Sequence, residues 1–427
     1  MKIKTIKLQN FRCFEKFTAE LNEDLTVIVG NNGSGKSTLL DALSIAIGTF
    51  LVPFSTGISI TIAKDDALNK CFDLGSVVEL QAQYPVEVLA EGVVSDKMLQ
   101  WKRTLNSEEG RTTVGAAKDL INIAKKLQGQ IQKGEKPLLP ILSYYGTGRL
   151  WAQKRERKTV ARTTRFNRQM GYIDCLDAAS NEKLMLKWFE KMSLQAAASG
   201  KIAPELIAVK SAICKCFIGI TGYQDVDVQF NFDTHELDIV YLGTDNSHKR
   251  YPMKHLSDGY KNTLSMIADI AYRMAVLNPW LLDNVLAETP GVVLIDEIDL
   301  HLHPLWQQRI IGDLRSIFPK VQFIVSTHAP IVISSVKKEN LLVLQDMQPD
   351  SPMIETYGKD ANAILLSIMG ADERPIAVKK QFNKFYDAMA KEQYDIAEKI
   401  LKDLQAIIGE NDTELNAAQV SLALERM

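Results

Sequence analysis

Nothing in this 427-residue chain approaches a run of about 18 uncharged apolar residues, so a membrane-spanning helix is not expected. The N-terminus, MKIKTIKLQNF, alternates charge with aliphatics and lacks the basic, apolar and small-residue succession of a secretory leader. A soluble, cytoplasmic protein is the expectation. Cysteine is scarce: Cys13, Cys71, Cys175, Cys214 and Cys216 are five, an odd number, so a disulfide framework is excluded as the basis of the fold. Cys214-Lys215-Cys216 is neither a CxxC redox pair nor half of a zinc site, and reduced structural thiols are expected. Bulk basicity is also missing, because 50 Lys and Arg stand against 52 Asp and Glu for a net charge of -2. Composition therefore does not advertise nucleic acid. Neither an internal repeat nor a low-complexity tract is found, and the length leaves room for two or three domains.

The pattern that is present alternates strands with helices. Residues 1–30 read as strands, ending in the buried aliphatic run Leu25 to Val29. Ser37 to Ile47 places Leu39, Leu40, Leu43 and Ile47 at helical spacing, with Gly48 suited to a C-terminal cap. The span from about 50 to 250 is mixed: strand-like VVELQAQYPVEV, an amphipathic stretch at Ala116 to Gln128, apolar PLLPILSYYG, a basic run, and a helix near Asn181 to Ala198. From Leu256 the order is helix, strand GVVLIDE, helix Trp306 to Ile317, strand VQFIVST. Such alternation predicts an α/β fold with a mostly parallel sheet flanked by helices. Beyond about residue 360 the periodicity is helical, with Phe382, Phe385, Met389, Ile396, Ile400, Leu401, Leu404 and Ile407 marking apolar faces.

Three segments carry chemistry. Gly30-Asn31-Asn32-Gly33-Ser34-Gly35-Lys36-Ser37, followed by Thr38, matches G-x-x-x-x-G-K-[ST] between a buried strand and a helix. Backbone N–H groups can wrap phosphates there without side-chain clash, Lys36 can reach the outer phosphates, and Ser37 can coordinate magnesium. In VVLIDE, Asp296 at a strand end is placed to hold magnesium through water and Glu297 to polarise the attacking water. His328, just past VQFIVST, can touch a terminal phosphate as a neutral imidazole. A fourth stretch, LSDGYKN, holds Ser257 and Gly259 before the helix Tyr260 to Leu277, where Ser257 or Asp258 can cap the helix. Alone it reads as a plain helix cap.

Together these segments resemble the ABC-type ATPase head, a P-loop NTPase fold using ATP and Mg2+. The resemblance implies that Ser257 and Gly259 present a helix N-terminus to the γ-phosphate held by a second copy, in a head-to-tail dimer of two chains around two ATP molecules. LQNFRCF, DEIDLHLHP and STHAP, with the long stretch between loop and signature, are similar to the SMC/RecF/OLD branch. By the same resemblance Arg12 touches nucleotide phosphates and Asp299 belongs to a loop that communicates across the dimer. Arg12 reads equally as a solvated strand-end arginine. Gln81 and Gln83 have no spacing that assigns either to the family's glutamine loop.

The expected organisation is an ATPase lobe with the phosphate loop at 1–50, the rest of that lobe with an inserted mixed and helical region at 51–250, the signature-to-histidine part of the head at 251–358, and a helical appendage for oligomer or partner docking at 359–427. YYGTGRLW, GYIDCLDAASNEKLMLKWFE and YGKDANAILLSIMG extend the resemblance over most of the chain to stand-alone ATPases of bacterial anti-phage defence, nearest those of the Septu system. It implies assembly with itself, possible higher even-numbered oligomers, and an HNH-type nuclease subunit of the PtuB kind that cleaves DNA. No intrinsic nuclease is expected: the fewer than 100 residues after His328 read mostly helical and their LLVLQDMQPDS holds no D-x-D, while the one D-x-D pair, Asp225 and Asp227, sits on a strand before the signature. Lys154 to Arg168 reads either as a DNA-sensing surface or as a solvated loop. A RecF-like repair clamp without a nuclease and a non-hydrolysing ATP-gated scaffold remain the alternatives.

Overall fold

Short aliphatic runs without polar alternation become strands covered on both faces, and LTVIV, GVVLI and VQFIVS are buried at nearly every position. The computed structural model describes residues 1–54, 60–73, 78–150, 167–177, 182–243, 245–350, 352 and 354–426. In chain order its first unit, Met1–Asp360, contains β1 (Lys2–Phe11), β2 (Phe14–Glu20), β3 (Leu25–Gly30), α1 (Lys36–Gly48), β4 (Asn69–Asp73), β5 (Val78–Ala82), β6 (Val86–Val94), β7 (Lys97–Leu105), α2 (Lys118–Gln132), β8 (Ile141–Tyr145), α3 (Glu182–Ser199), α4 (Pro204–Thr221), β9 (Gln224–Asn231), β10 (Glu236–Leu242), β11 (His248–Pro252), α5 (Asp258–Leu277), α6 (Val285–Glu288), β12 (Gly291–Ile295), α7 (Pro304–Gln307), α8 (Ile310–Ile317), β13 (Val321–Ser326), α9 (Pro330–Ser334), β14 (Leu341–Gln345) and β15 (Gln348–Asp350).

The central sheet has the order β15-β14-β3-β13-β12-β8, parallel throughout except for β15 at its edge. Because β3, β13 and β12 are neighbours, the segments that leave their carboxyl ends emerge side by side. Those segments are the phosphate loop, the STH stretch and Asp296-Glu297, which is where parallel α/β sheets bind ligands. In a second, antiparallel sheet, β2-β1-β6-β7, the strand β6 alternates buried and half-buried positions, as one-sided packing requires. Polar side chains attach it to the core. Gln322 exchanges hydrogen bonds with both backbone groups of Ile3, each 2.7 Å, and Trp101 Nε1 donates to Ala46 O of α1 at 3.0 Å. Among the described residues, a third sheet, β11-β10-β9, and the antiparallel pair β4-β5 complete the strands of this unit.

Some elements depart from the sequence expectation. LLVLQ, within a stretch that reads mostly as helical, is β14 in the central sheet, pairing with β3 from Leu341 opposite Val27 to Leu344 opposite Gly30. Four consecutive aliphatics are too few for a helix and enough for a covered strand. Gly48 is not a left-handed cap: the chain continues through it into a helical turn at Thr49–Leu51, and a Cβ there would lie 3.0 Å from Leu176 Cδ1. All five cysteines are free thiols. Among the described residues no helix is long and apolar enough to cross a membrane.

The second unit, Ala361–Met427, comprises α10 (Ala361–Ser367), α11 (Ile376–Ala390), α12 (Tyr394–Ile408) and α13 (Thr413–Glu425). Val378, Phe382, Phe385, Leu401, Leu404, Leu415 and Leu422 form its own core. Asp412 caps α13 through the N–H groups of Glu414 and Leu415 and takes two 2.9 Å bonds from Arg374. Ile396 and Ile407, expected on the apolar face, are exposed, because their positions on α12 fall outside the stripe of Ala397, Leu401 and Leu404.

Candidate functional site

At the end of β3 the chain turns through Asn31, Asn32 and Gly33, all exposed, before α1 begins. Gly35 is the residue this turn cannot exchange. Its φ is +99°, and a Cβ would stand 2.5 Å from Cζ of Phe14. Ser34 is buried with its Oγ unpartnered among the described residues, and Ser37 is exposed at the first turn of α1 beside half-buried Thr38. Lys36 is buried and folds back on its own loop, its Nζ donating to Gly30 O and Asn31 O at 2.9 Å each. Burial draws its pKa below the usual lysine value, against the opposing pull of Asp296, Glu297 and Asp299. One lysine therefore lies within electrostatic reach of three carboxylates that come from a different strand.

Those carboxylates follow β12. Asp296 is buried; its N–H donates to Tyr145 O of β8 at 2.8 Å, and its Oδ1 accepts from the Ser326 hydroxyl. Glu297 is half-buried, has a left-handed backbone with φ +48°, and its N–H donates to Ser326 Oγ at 2.8 Å. Asp299 accepts from Thr327 Oγ1 at 2.6 Å. His328, next along the chain, is half-buried, and burial first and Lys36 second lower its pKa below that of a free histidine. The neutral imidazole is therefore favoured, with one ring nitrogen donating a hydrogen bond and the other accepting one. Buried Asp296, the exposed Ser37 hydroxyl and the orphaned Ser34 hydroxyl are hard oxygen donors, the set that suits magnesium beside phosphate.

Arg12 directly follows β1, half exposed and ion-paired. Its guanidinium donates to Asp41 on α1 and, at 2.7 Å, to Asp66; Tyr144 OH donates to the other oxygen of Asp41 at 2.9 Å. Burial opposes its charge, but Asp66 and Asp41 together raise its pKa. The neighbouring Cys13 and Phe14 pack against Gly35, so the β1–β2 turn abuts the phosphate loop.

The signature segment opens α5. Ser257 occupies the N-cap position of α5, yet its side chain makes no capping hydrogen bond and is exposed, as is Asp258. The expectation that Ser257 caps its own helix is thus not met, since only its carbonyl is used, by Lys261 N–H at 3.0 Å. Gly259 is buried beneath the loop after β12: a Cβ would sit 2.4 Å from His301 O. Tyr260 and Trp306 pack edge to face with centroids 3.9 Å apart, fastening α5 to α7.

Sequence reasoning missed the polar groups that join these parts, because residues far apart in the chain give no local signal. Tyr145 OH and Arg273 Nε both donate to Asp269 Oδ2 at 2.7 Å inside the core, and Arg273 Nη1 donates to Gly171 O and Ile173 O at 2.9 Å. Since Tyr145 O also accepts from Asp296 N–H, the helix that begins with the signature is wired to the residue beside Glu297. Ser326, Asp41 and Asp66 were likewise not singled out. Asp227 of the D-x-D pair is ion-paired with Lys210 at 2.7 Å. The basic run Lys154 to Arg168 lies outside the described residues except for its final Asn167 and Arg168, and Arg168 is turned inward over the Trp280 ring at 4.0 Å.

Two family profiles match the chain, an AAA domain over residues 5–206 and an AAA domain described as putative AbiEii toxin, Type IV TA system, over residues 206–334. A retron Vc95 probable ATPase of Vibrio cholerae serotype O1 biovar El Tor is 27% identical, covering 88% of this chain and 80% of that protein. The Septu protein PtuA of Bacillus mycoides is 42% identical over 105 residues, 25% of this chain and 14% of that protein. An SMC head structure overlays with TM-score 0.46 and 16% identity, over 84% of this chain and 99% of that one.

Proposed function

We propose that the chain, which is similar to SMC/RecF-type ATPases of defence systems, hydrolyses ATP in composite sites, each built from two copies of the chain. The loop from Gly30 to Thr38 wraps the phosphates of one ATP, and Lys36 exchanges its two loop carbonyls for phosphate oxygens. Ser37 and Asp296 would hold magnesium, which neutralises phosphate charge when bound. Glu297 orients the attacking water, and the neutral His328 senses the terminal phosphate. The second copy supplies Ser257, Gly259 and the N-terminus of its α5.

The observation that supports this reading is the signature helix. An exposed N-cap serine that leaves its own helix uncapped, above a glycine fitted under His301 O, presents unspent donors to an anion from outside. We further propose that closure and reopening of the dimer regulate an HNH-type nuclease subunit, in line with the similarity to Septu and retron ATPases.

Mixing two inactive variants tests the composite site. Lys36→Ala and Ser257→Arg should each be inactive alone. A heterodimer of the two holds one intact site, so a 1:1 mixture should recover about a quarter of the wild-type rate by random pairing. A mixture no faster than its parts would overturn the two-chain site.

A further inference from the structure

Glu297 has an unusual local problem. It is the second residue beyond β12, its backbone lies in the left-handed region at φ +48°, and it follows a buried aspartate whose orientation matters as much as its own. Three consecutive N–H groups settle where this stretch goes. Asp296 N–H is held by Tyr145 O on one side at 2.8 Å, while on the other side Ser326 accepts from Glu297 N–H through its hydroxyl at 2.8 Å and from Ile298 N–H through its carbonyl at 3.0 Å. The Ser326 hydroxyl then donates its own proton to Asp296 Oδ1. A hydroxyl has one proton and two lone pairs, so a single buried oxygen serves both residues at once. The register places it there: β12 and β13 pair up to Ile295 opposite Val325, which leaves Ser326 beside the first residues past the strand.

We infer that Ser326 is a positioning residue for ATP hydrolysis, one hydroxyl that fixes both the carboxylate of Asp296 and the backbone from which Glu297 projects. This rests on the ATPase reading above. Ser326 itself is fully buried, and its proposed work is done through its two neighbours rather than by touching nucleotide. Alanine offers neither donor nor acceptor, threonine offers both, and cysteine keeps the size with a weak donor and acceptor.

The test is steady-state ATP turnover of full-length wild type, Ser326→Ala, Ser326→Thr and Ser326→Cys, with ATP affinity measured separately on each using a fluorescent ATP analogue. Because a misplacement of about 1 Å at a reacting group costs on the order of 100-fold, Ser326→Ala should lower kcat by about 10- to 100-fold. Its affinity for the analogue should stay within about threefold, since Lys36 and the loop amides are untouched. Ser326→Thr should recover most of the rate; if the added methyl impairs folding, Ser326→Cys should fall between alanine and wild type. An alanine variant with wild-type kcat would overturn the inference, and so would an equal loss of turnover and nucleotide affinity. A wild type that binds ATP without turning it over would instead retire the ATPase reading, and this inference with it.

Discussion

Replacing Glu297 by glutamine is expected to lower ATP turnover by about two to three orders of magnitude while ATP remains bound. A positioned general base contributes about 10²- to 10⁴-fold, and an amide of the same shape cannot take the proton of the attacking water. Binding should survive because the backbone bond from Glu297 N–H to Ser326 Oγ does not involve the side chain. Removing one of the three carboxylates that act on Lys36 should if anything ease the lysine's exchange of loop carbonyls for phosphate. Single-turnover and steady-state assays separate the two quantities. A variant that hydrolyses within a few-fold of wild type would move the base elsewhere.

Asp269→Asn should be the most destabilising conservative change in the first unit. The aspartate is buried and takes 2.7 Å bonds from Tyr145 OH and from Arg273, whose side chain is only 4% exposed. Burial opposes the arginine's charge, but Asp269 foremost among its neighbours holds the pKa above the usual arginine value. Removing one member of a buried pair costs about 3–5 kcal/mol, because the other charge stays where it is. For a unit of this size that corresponds to a melting temperature lower by about 5 °C. Turnover should fall as well, since Tyr145 also receives Asp296 N–H. Replacing both members together, Asp269→Leu with Arg273→Met, should recover part of the lost stability, because no unpaired charge stays buried, while Tyr145 OH and the carbonyls of Gly171 and Ile173 still lose their partners. Equal melting of Asp269→Asn and wild type would mean that the pair does not hold α5 to the sheet.

The motif residues were legible because each sits in a local frame that spacing reveals. A covered strand followed by glycines and GKS, a covered strand followed by DE, and a covered strand followed by STH are all short-range patterns, and the parallel sheet gathers them at one edge. What spacing cannot reveal is pairing between residues more than a hundred positions apart. Gln322 with Ile3, Tyr145 with Asp269 and Tyr144 with Asp41 are such pairs, each an ordinary polar residue in its own neighbourhood. Leu341 to Gln345 was misread for a related reason: its parallel partner β3 lies more than three hundred positions away, and its short neighbour β15 carries little strand signal of its own. Ser257 was legible as a helix start but not as an uncapped one, since a propensity for the N-cap position says nothing about where the hydroxyl points.

Head-to-tail closure on nucleotide is tested most directly by the native mass of Glu297→Gln, with and without ATP and magnesium, beside the same protein carrying Ser257→Arg. With ATP, the chain of 47.8 kDa should assemble into even-numbered species that hold one nucleotide per chain, and Ser257→Arg should abolish the nucleotide-dependent step. A mass of 47.8 kDa that is indifferent to ATP would contradict the two-chain site. So would an ATP-dependent assembly that Ser257→Arg leaves unchanged.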